Sequence, residues 1–204
     1  MSSYPVRLVG GENLQRARLT VLVRLVLLIP HVVLLTLYGI AAGFTAIGAW
    51  FAALVTGRVP AGMHEFIAGY VRYGAIVIAY LAILSDRFPP MGTDDRYEID
   101  LEIDGPVPQN RLTVLFRAVL VAPCMLLLAY VFDPLILLVA VLNWLIALVI
   151  GRVPAGLQSA GMWLLRFRAR TYAYFLLVNP RYPSFGAGSD GSLPADQAAL
   201  PPMP

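Results

Sequence analysis

The residues able to bind a metal or move a proton are few in this chain, and they are poorly spaced for either task. His31 follows Pro30 inside an apolar run, and His64 stands beside Glu65 where a later run begins. Neither has a second histidine four residues away, the spacing that puts two ligands on one helical face. His31 therefore reads as a donor packed between helices, and no metal site is expected. Cys124 lies alone in an apolar stretch, where it can form no disulfide within the chain and reads as a small buried side chain. The acids between residues 94 and 104 lack the glycine and the ligand spacing of a calcium loop. The hexapeptide GRVPAG, at 57–62 and again at 151–156, has neither the lysine nor the glycine spacing of a phosphate loop. It reads as a turn in which glycine ends one helix and proline begins the next. With no catalytic constellation in sight, the chain is expected not to be an enzyme and to need no cofactor.

Arginine is the residue type left to explain. All 15 basic residues are arginine, which points to a high-GC genome rather than to a ligand. A net charge of +3, with no basic stripe and no row of stacking aromatics, argues against nucleic acid as a partner. Composition argues for a membrane instead: 59% of the residues are hydrophobic and 13% charged, against roughly 25% charged in an ordinary soluble domain. The first apolar run has no small-residue cleavage site after it, so it reads as an uncleaved span.

The arginines belong to a repeat. Residues 18–30 read RLTVLVRLVLLIP and residues 111–123 read RLTVLFRAVLVAP, 93 apart, whereas the two GRVPAG segments are 94 apart. One residue has been inserted between these anchors. The larger offset pairs Trp50 with Trp144, Arg72 with Arg166, Tyr80 with Tyr174 and RFP at 87–89 with RYP at 181–183; the smaller pairs Tyr4 with Tyr97. Glu65 corresponds to Ser159, which removes any acid/base role common to both copies. The expected organisation is a first membrane repeat at 1–93, a second at 94–185 and a disordered tail at 186–204.

An arginine-flanked apolar helix ending in IPH, then GRVP, then an arginine-bearing helix closed by RFPP or RYPSF resembles a bacterial, largely actinobacterial, membrane family. That family is catalogued only as a domain of unknown function, number 4389, and its members often carry the domain in tandem. The resemblance covers both copies. The second copy departs from the pattern at Cys124, where the first has His31, and at Pro183-Ser184, where the first has Pro89-Pro90. The resemblance implies a fold and a membrane location, and no activity, cofactor or catalytic residue.

Residues 19–38 are interrupted only by Arg24, His31 and Thr36, and twenty helical residues reach about 30 Å, one crossing of a bilayer. Joined to the apolar residues 42–55 they exceed one crossing, so a turn is expected at 39–43. In the second copy, helices at 112–130 and 134–150 are expected to turn at 131–133, with aspartate as the cap and proline in the first helical turn. Neither turn contains arginine, and the positive-inside rule then places both termini and the linker around Asp94 in the cytoplasm. The third segments, 63–84 and 157–178, mix arginine with Trp163, Phe167, Tyr172, Tyr174 and Phe175, the pattern of a helix lying in the headgroup layer. Residues 97–104 alternate apolar with acidic, a half-buried strand, and residues 4–9 are its weaker counterpart. Antiparallel pairing of the two would set Arg7 against Glu98, Asp100 and Glu102.

The expected fold is therefore mainly α and integral to the membrane, with two tandem repeats, each a short strand, a two-helix transmembrane hairpin and an interfacial amphipathic helix. The expected location is the plasma membrane, crossed several times. Arg24, Arg58, Arg72, Arg117, Arg152, Arg166, Arg168 and Arg170 are the expected ligands of anionic lipid headgroups. Arg24 and Arg117 lie inside the spans and would snorkel outward or pair between helices. The function that fits is a non-enzymatic membrane module, assembling with itself or a partner membrane protein or organising anionic lipid at the cytoplasmic face. The alternative is a small transporter or channel built from duplicated repeats. Against that alternative, the spans offer few polar residues to line a path: Thr36, Thr45, Asn143 and His31.

Overall fold

The computed structural model describes residues 5–11, 14–90 and 97–184. Tyr4, the linker around Asp94 and the tail at 186–204 lie outside the described residues. Strand β1 (Val6–Gly10) and strand β2 (Ile99–Ile103) pair antiparallel, with Val6 opposite Ile103 and Leu8 opposite Leu101. Their alternation buries Val6, Leu8, Ile99 and Leu101 on one face, as a period-two pattern must. The other face carries Arg7, 3.6 Å from Glu102 and 3.7 Å from Asp104. Gly10 has φ of 91°, and a Cβ there would sit 1.9 Å from the Glu98 carbonyl oxygen, so only glycine lets the strands close.

Helix α1 (Arg18–Thr56) is one unbroken rod of 39 residues. The turn expected at 39–43 is absent. Glycine costs a helix only about 1 kcal/mol relative to alanine, and Gly39 lets Tyr70 pack close: a Cβ there would meet the Tyr70 hydroxyl at 3.1 Å. The rod ends at Gly57, whose left-handed φ of 75° caps it, and Pro60 leads into α2 (Ala61–Leu81).

The second copy builds the same rod in pieces: α3 (Arg111–Leu115), α4 (Arg117–Leu127), a π-helical turn at Leu128–Phe132 and α5 (Asp133–Ile150). The Asn110 side chain caps its start by accepting from the Leu112 N–H at 2.9 Å. Here too the expected reversal at 131–133 is missing. The offset between copies changes from 93 to 94 within this region, and a π turn holds one residue more than an α turn. The insertion is absorbed by widening the helix, and Pro134, with no N–H to donate, follows directly. Gly151 closes the rod with φ of 79°, and α6 (Ala155–Phe175) follows.

Helices α2 and α6 do not stand apart as interfacial helices; they form the centre of the molecule. They pack on each other, on the long helices and on the sheet, β2 lying against α2 and β1 against α6. Phe167 and Tyr174, expected among headgroups, are 2% exposed. Both helices end through left-handed residues, Ile83 with φ of 57° and Leu177 with φ of 65°.

A pseudo-twofold axis relates the copies. The Trp50 indole donates to the Val114 carbonyl at 2.9 Å, and the Trp144 indole donates to the Val21 carbonyl at 3.2 Å. The end of each long helix therefore meets the start of the other, and the two run antiparallel. His64 Nε2 reaches the Val178 carbonyl at 3.1 Å, and its counterpart Gln158 donates to the Leu84 carbonyl at 2.8 Å. Each copy thus closes the helix end of the other.

Candidate functional site

Two stretches, Val23–Thr56 and Arg117–Ile150, are long and apolar enough to cross a membrane, each 34 residues. Only 17% and 28% of their most apolar windows are buried, whereas a core helix of a soluble protein would be mostly covered. The buried side of α1 is one stripe, including Val21, Arg24, Leu28, His31, Ala42, Ala49 and Ala53. The remaining surface is apolar all round, from Leu25 and Val26 through Phe44 to Val55. Thr36, Thr45 and Thr56 donate to the carbonyls four residues back at 2.7–2.8 Å, so their hydroxyls are satisfied within the helix.

The arginines fall into distinct groups. Arg24 is 2% exposed, and one of its nitrogens donates to the Tyr80 and Ser85 carbonyls, both at 2.8 Å. Its guanidinium stacks 4.1 Å above the Tyr80 ring and lies 3.3 Å from Asp86. Arg117, also 2% exposed, repeats the arrangement, donating to the Tyr174 carbonyl at 2.9 Å and to the Asn179 carbonyl at 3.3 Å, and lying 4.5 Å from the Tyr174 ring centre. These two side chains point inward and cap α2 and α6, adding a charged donor to the Tyr80 and Tyr174 carbonyls, which also accept from the Ile83 and Leu177 N–H groups, at the negative end of each helix dipole. They are not turned toward headgroups.

Arg72 forks onto Asp100, Nε to Oδ1 at 2.6 Å and Nη2 to Oδ2 at 2.7 Å, tying α2 to the sheet. Arg168 pairs with Asp133 at 3.0 Å and lies over the Tyr172 ring, linking α6 to α5. Asp133, expected in an extramembrane turn, thus stands midway along a continuous helix. Arg170 is 2% exposed and contacts the Ser184 carbonyl at 3.3 Å, and Arg166 is half-buried. Arg58 and Arg152 remain exposed, one at the C-terminal end of each long helix.

Sequence reasoning missed Arg16. Its Nε donates to the Ile83 carbonyl at 3.0 Å and its Nη2 to the Leu84 carbonyl at 2.6 Å, and its counterpart Gln109 donates to the Leu177 carbonyl at 2.7 Å. Each thus holds a carbonyl of a left-handed turn, and the residue pairing at the 93 offset was the available signal. Near the sheet, burial pushes the Tyr97 phenol up to about 12, so it stays protonated and donates to the Arg87 carbonyl. Burial alone would raise the Asp100 carboxyl, but the Arg72 hydrogen bonds and charge, with backbone N–H groups, hold it below its usual value.

Polar cavities offer little chemistry. A groove of about 610 Å³ between α2 and β2 is lined in part by His64, Glu65, Arg72 and Asp104, but His64 and Arg72 already have partners. His31 Nδ1 lies 2.7 Å from the Tyr73 hydroxyl, and the Cys124 thiol lies 3.0 Å from that of Tyr182; both positions bridge helix to helix or to the closing segment.

The sequence model of a family described as a domain of unknown function (DUF4389) matches residues 18–92 and again residues 111–187. No curated protein and no solved structure matches the chain. Each matched segment spans one long helix, the shorter helix after it and the closing segment that the buried arginine caps. The chain belongs to the DUF4389 family and carries two tandem copies of its domain.

Proposed function

We propose that the protein is a non-enzymatic membrane module that embeds the two long helices in lipid and holds anionic headgroups through Arg58 and Arg152. The observation that carries this reading is the apolar surface of α1 and α4–α5, uncovered on nearly every side except the stripe toward the rest of the fold. In water that surface would be an aggregation site far beyond the few hundred Å² that soluble monomers expose. Six of the eight arginines expected to meet lipid, Arg24, Arg72, Arg117, Arg166, Arg168 and Arg170, have partners within the protein. The headgroup role therefore narrows to the exposed pair at the GRVPAG turns. Flotation with liposomes containing phosphatidylglycerol tests this. The wild type should float and resist carbonate extraction, and an Arg58→Gln/Arg152→Gln variant should retain less anionic lipid on purification while still floating. Protein that stays at the bottom of the gradient would end the membrane reading.

One observation favours a small transporter instead: Asp133 and Arg168 form a charged pair halfway along the apolar helices. The cavity beside Arg168, lined also by Leu35, Tyr70 and Tyr172, holds only about 50 Å³, room for a water or two and no conduit. Ion flux into dye-loaded liposomes, lost on Asp133→Asn, would favour the transporter.

A further inference from the structure

The pseudo-twofold axis brings the charged sheet level with the middle of the long apolar helices, and this juxtaposition restricts how a bilayer can meet the protein. Helix α2 runs back along α1: Tyr80 lies beside Arg24, Tyr73 beside His31, and Tyr70 against Gly39. Arg72 is therefore level with α1 residues 31–39, well inside the apolar stretch Val23–Thr56. It holds Asp100, and along the same strand Glu102 and then Asp104 have side chains 56% and 53% exposed. The second long helix is level with the first but reversed, since Arg24 and Leu25 line one cavity with Ala140 and Val141, while Ala46 and Ile47 line another with Arg117 and Ala118.

If the long helices crossed the bilayer, its apolar core would meet the exposed carboxylates at mid-depth, where ionised groups are strongly disfavoured. Sliding the molecule along the crossing direction until the sheet reached water would draw half of each apolar helix into water with it. Tyr70 and Arg72 leave α2 about 160° apart, the first toward α1 and the second toward β2. The sheet and the long helix thus lie on opposite sides of α2.

Resting on the membrane reading above, we infer that the protein is held in one leaflet, its two long helices lying along the membrane and the sheet facing water. A helix with its side chains is about 10–12 Å across, against about 15 Å for half of a hydrocarbon core. In that position Arg58 and Arg152, at opposite ends of the helix pair, reach headgroups of the same leaflet. The partner surface is the acyl-chain region of that leaflet.

Two measurements test this in a Cys124→Ala background. Ala61→Cys and Ala155→Cys are exposed and lie just beyond the ends of the two antiparallel rods. A membrane-impermeant maleimide should reach both from the same side of the membrane, together with Glu102→Cys. Labelling of Ala61→Cys from one side and Ala155→Cys from the other would overturn the inference and establish a crossing. Nitroxides at Val26→Cys and Phe44→Cys, 67% and 72% exposed in the native chain, read depth directly. They should lie within a few ångström of one depth, whereas a crossing helix separates them by about 27 Å. Protein that fails to float with vesicles refutes the membrane reading itself, which is a different result from either labelling pattern.

Discussion

Replacing Arg24 with leucine should destabilise the fold more than it affects lipid. The substitution removes two charge-assisted hydrogen bonds of 2.8 Å to the Tyr80 and Ser85 carbonyls, the stack on Tyr80 and the contact with Asp86. Charged hydrogen bonds contribute about 1.5–3 kcal/mol each, and burying leucine in place of a guanidinium returns part of the desolvation cost. Breaking a buried charged interaction by removing one partner typically costs about 3–5 kcal/mol, and we take the lower end because Asp86 is partly exposed. For a chain of this size each kcal/mol moves the melting temperature by about 2–4 °C, so the shift should be about 6–12 °C in thermal unfolding in mild detergent. Arg24→Lys should recover only a fraction, since an ammonium cannot stack and fork in the same way. Arg117→Leu should behave alike through the Tyr174 and Asn179 carbonyls. A melting temperature within about 2 °C of wild type, together with loss of co-purified anionic lipid, would refute the capping argument and return Arg24 to the headgroups.

Asp100→Asn should cost about 2 kcal/mol by breaking the fork with Arg72, read as a lower denaturation midpoint at pH 7. Because the Asp100 carboxyl titrates below its usual value in the fold, its contribution is full above the unfolded value near 4 and is lost as pH falls through the lower folded value. The wild-type and Asp100→Asn stability curves should accordingly converge below about pH 4, and a constant gap down to pH 2.5 would contradict this. Trp50→Phe and Trp144→Phe should each remove about 1 kcal/mol by deleting the indole hydrogen bond to a carbonyl of the other copy. The two lie at opposite ends of the helix pair, so their effects should add; strong non-additivity in thermal melts would mean that the ends do not close independently.

Periodic and local signals carried far in this chain. The two offsets revealed the duplication and the inserted residue, and the apolar-acidic alternation at 97–104 identified the strand. Of the three acids expected opposite Arg7 only Glu102 meets it, with Asp104, because Asp100 is taken by Arg72 and Glu98 by Ser85. The GRVPAG glycines were legible as helix ends because a left-handed residue followed by proline is a local requirement. Tertiary structure alone decided whether the long apolar runs fold back. Hydropathy records that a segment is apolar, not that it reverses, and Gly39 stays within the helix, where Tyr70, distant in sequence, packs close against it. The same holds for Arg24 and Arg117, which by spacing alone look like interfacial residues. Their partners are backbone carbonyls 56–62 positions away, and every residue type carries a carbonyl, so no sequence pattern marks which ones an arginine will cap. Only the return of α2 and α6 along the long helices brings those helix ends within reach.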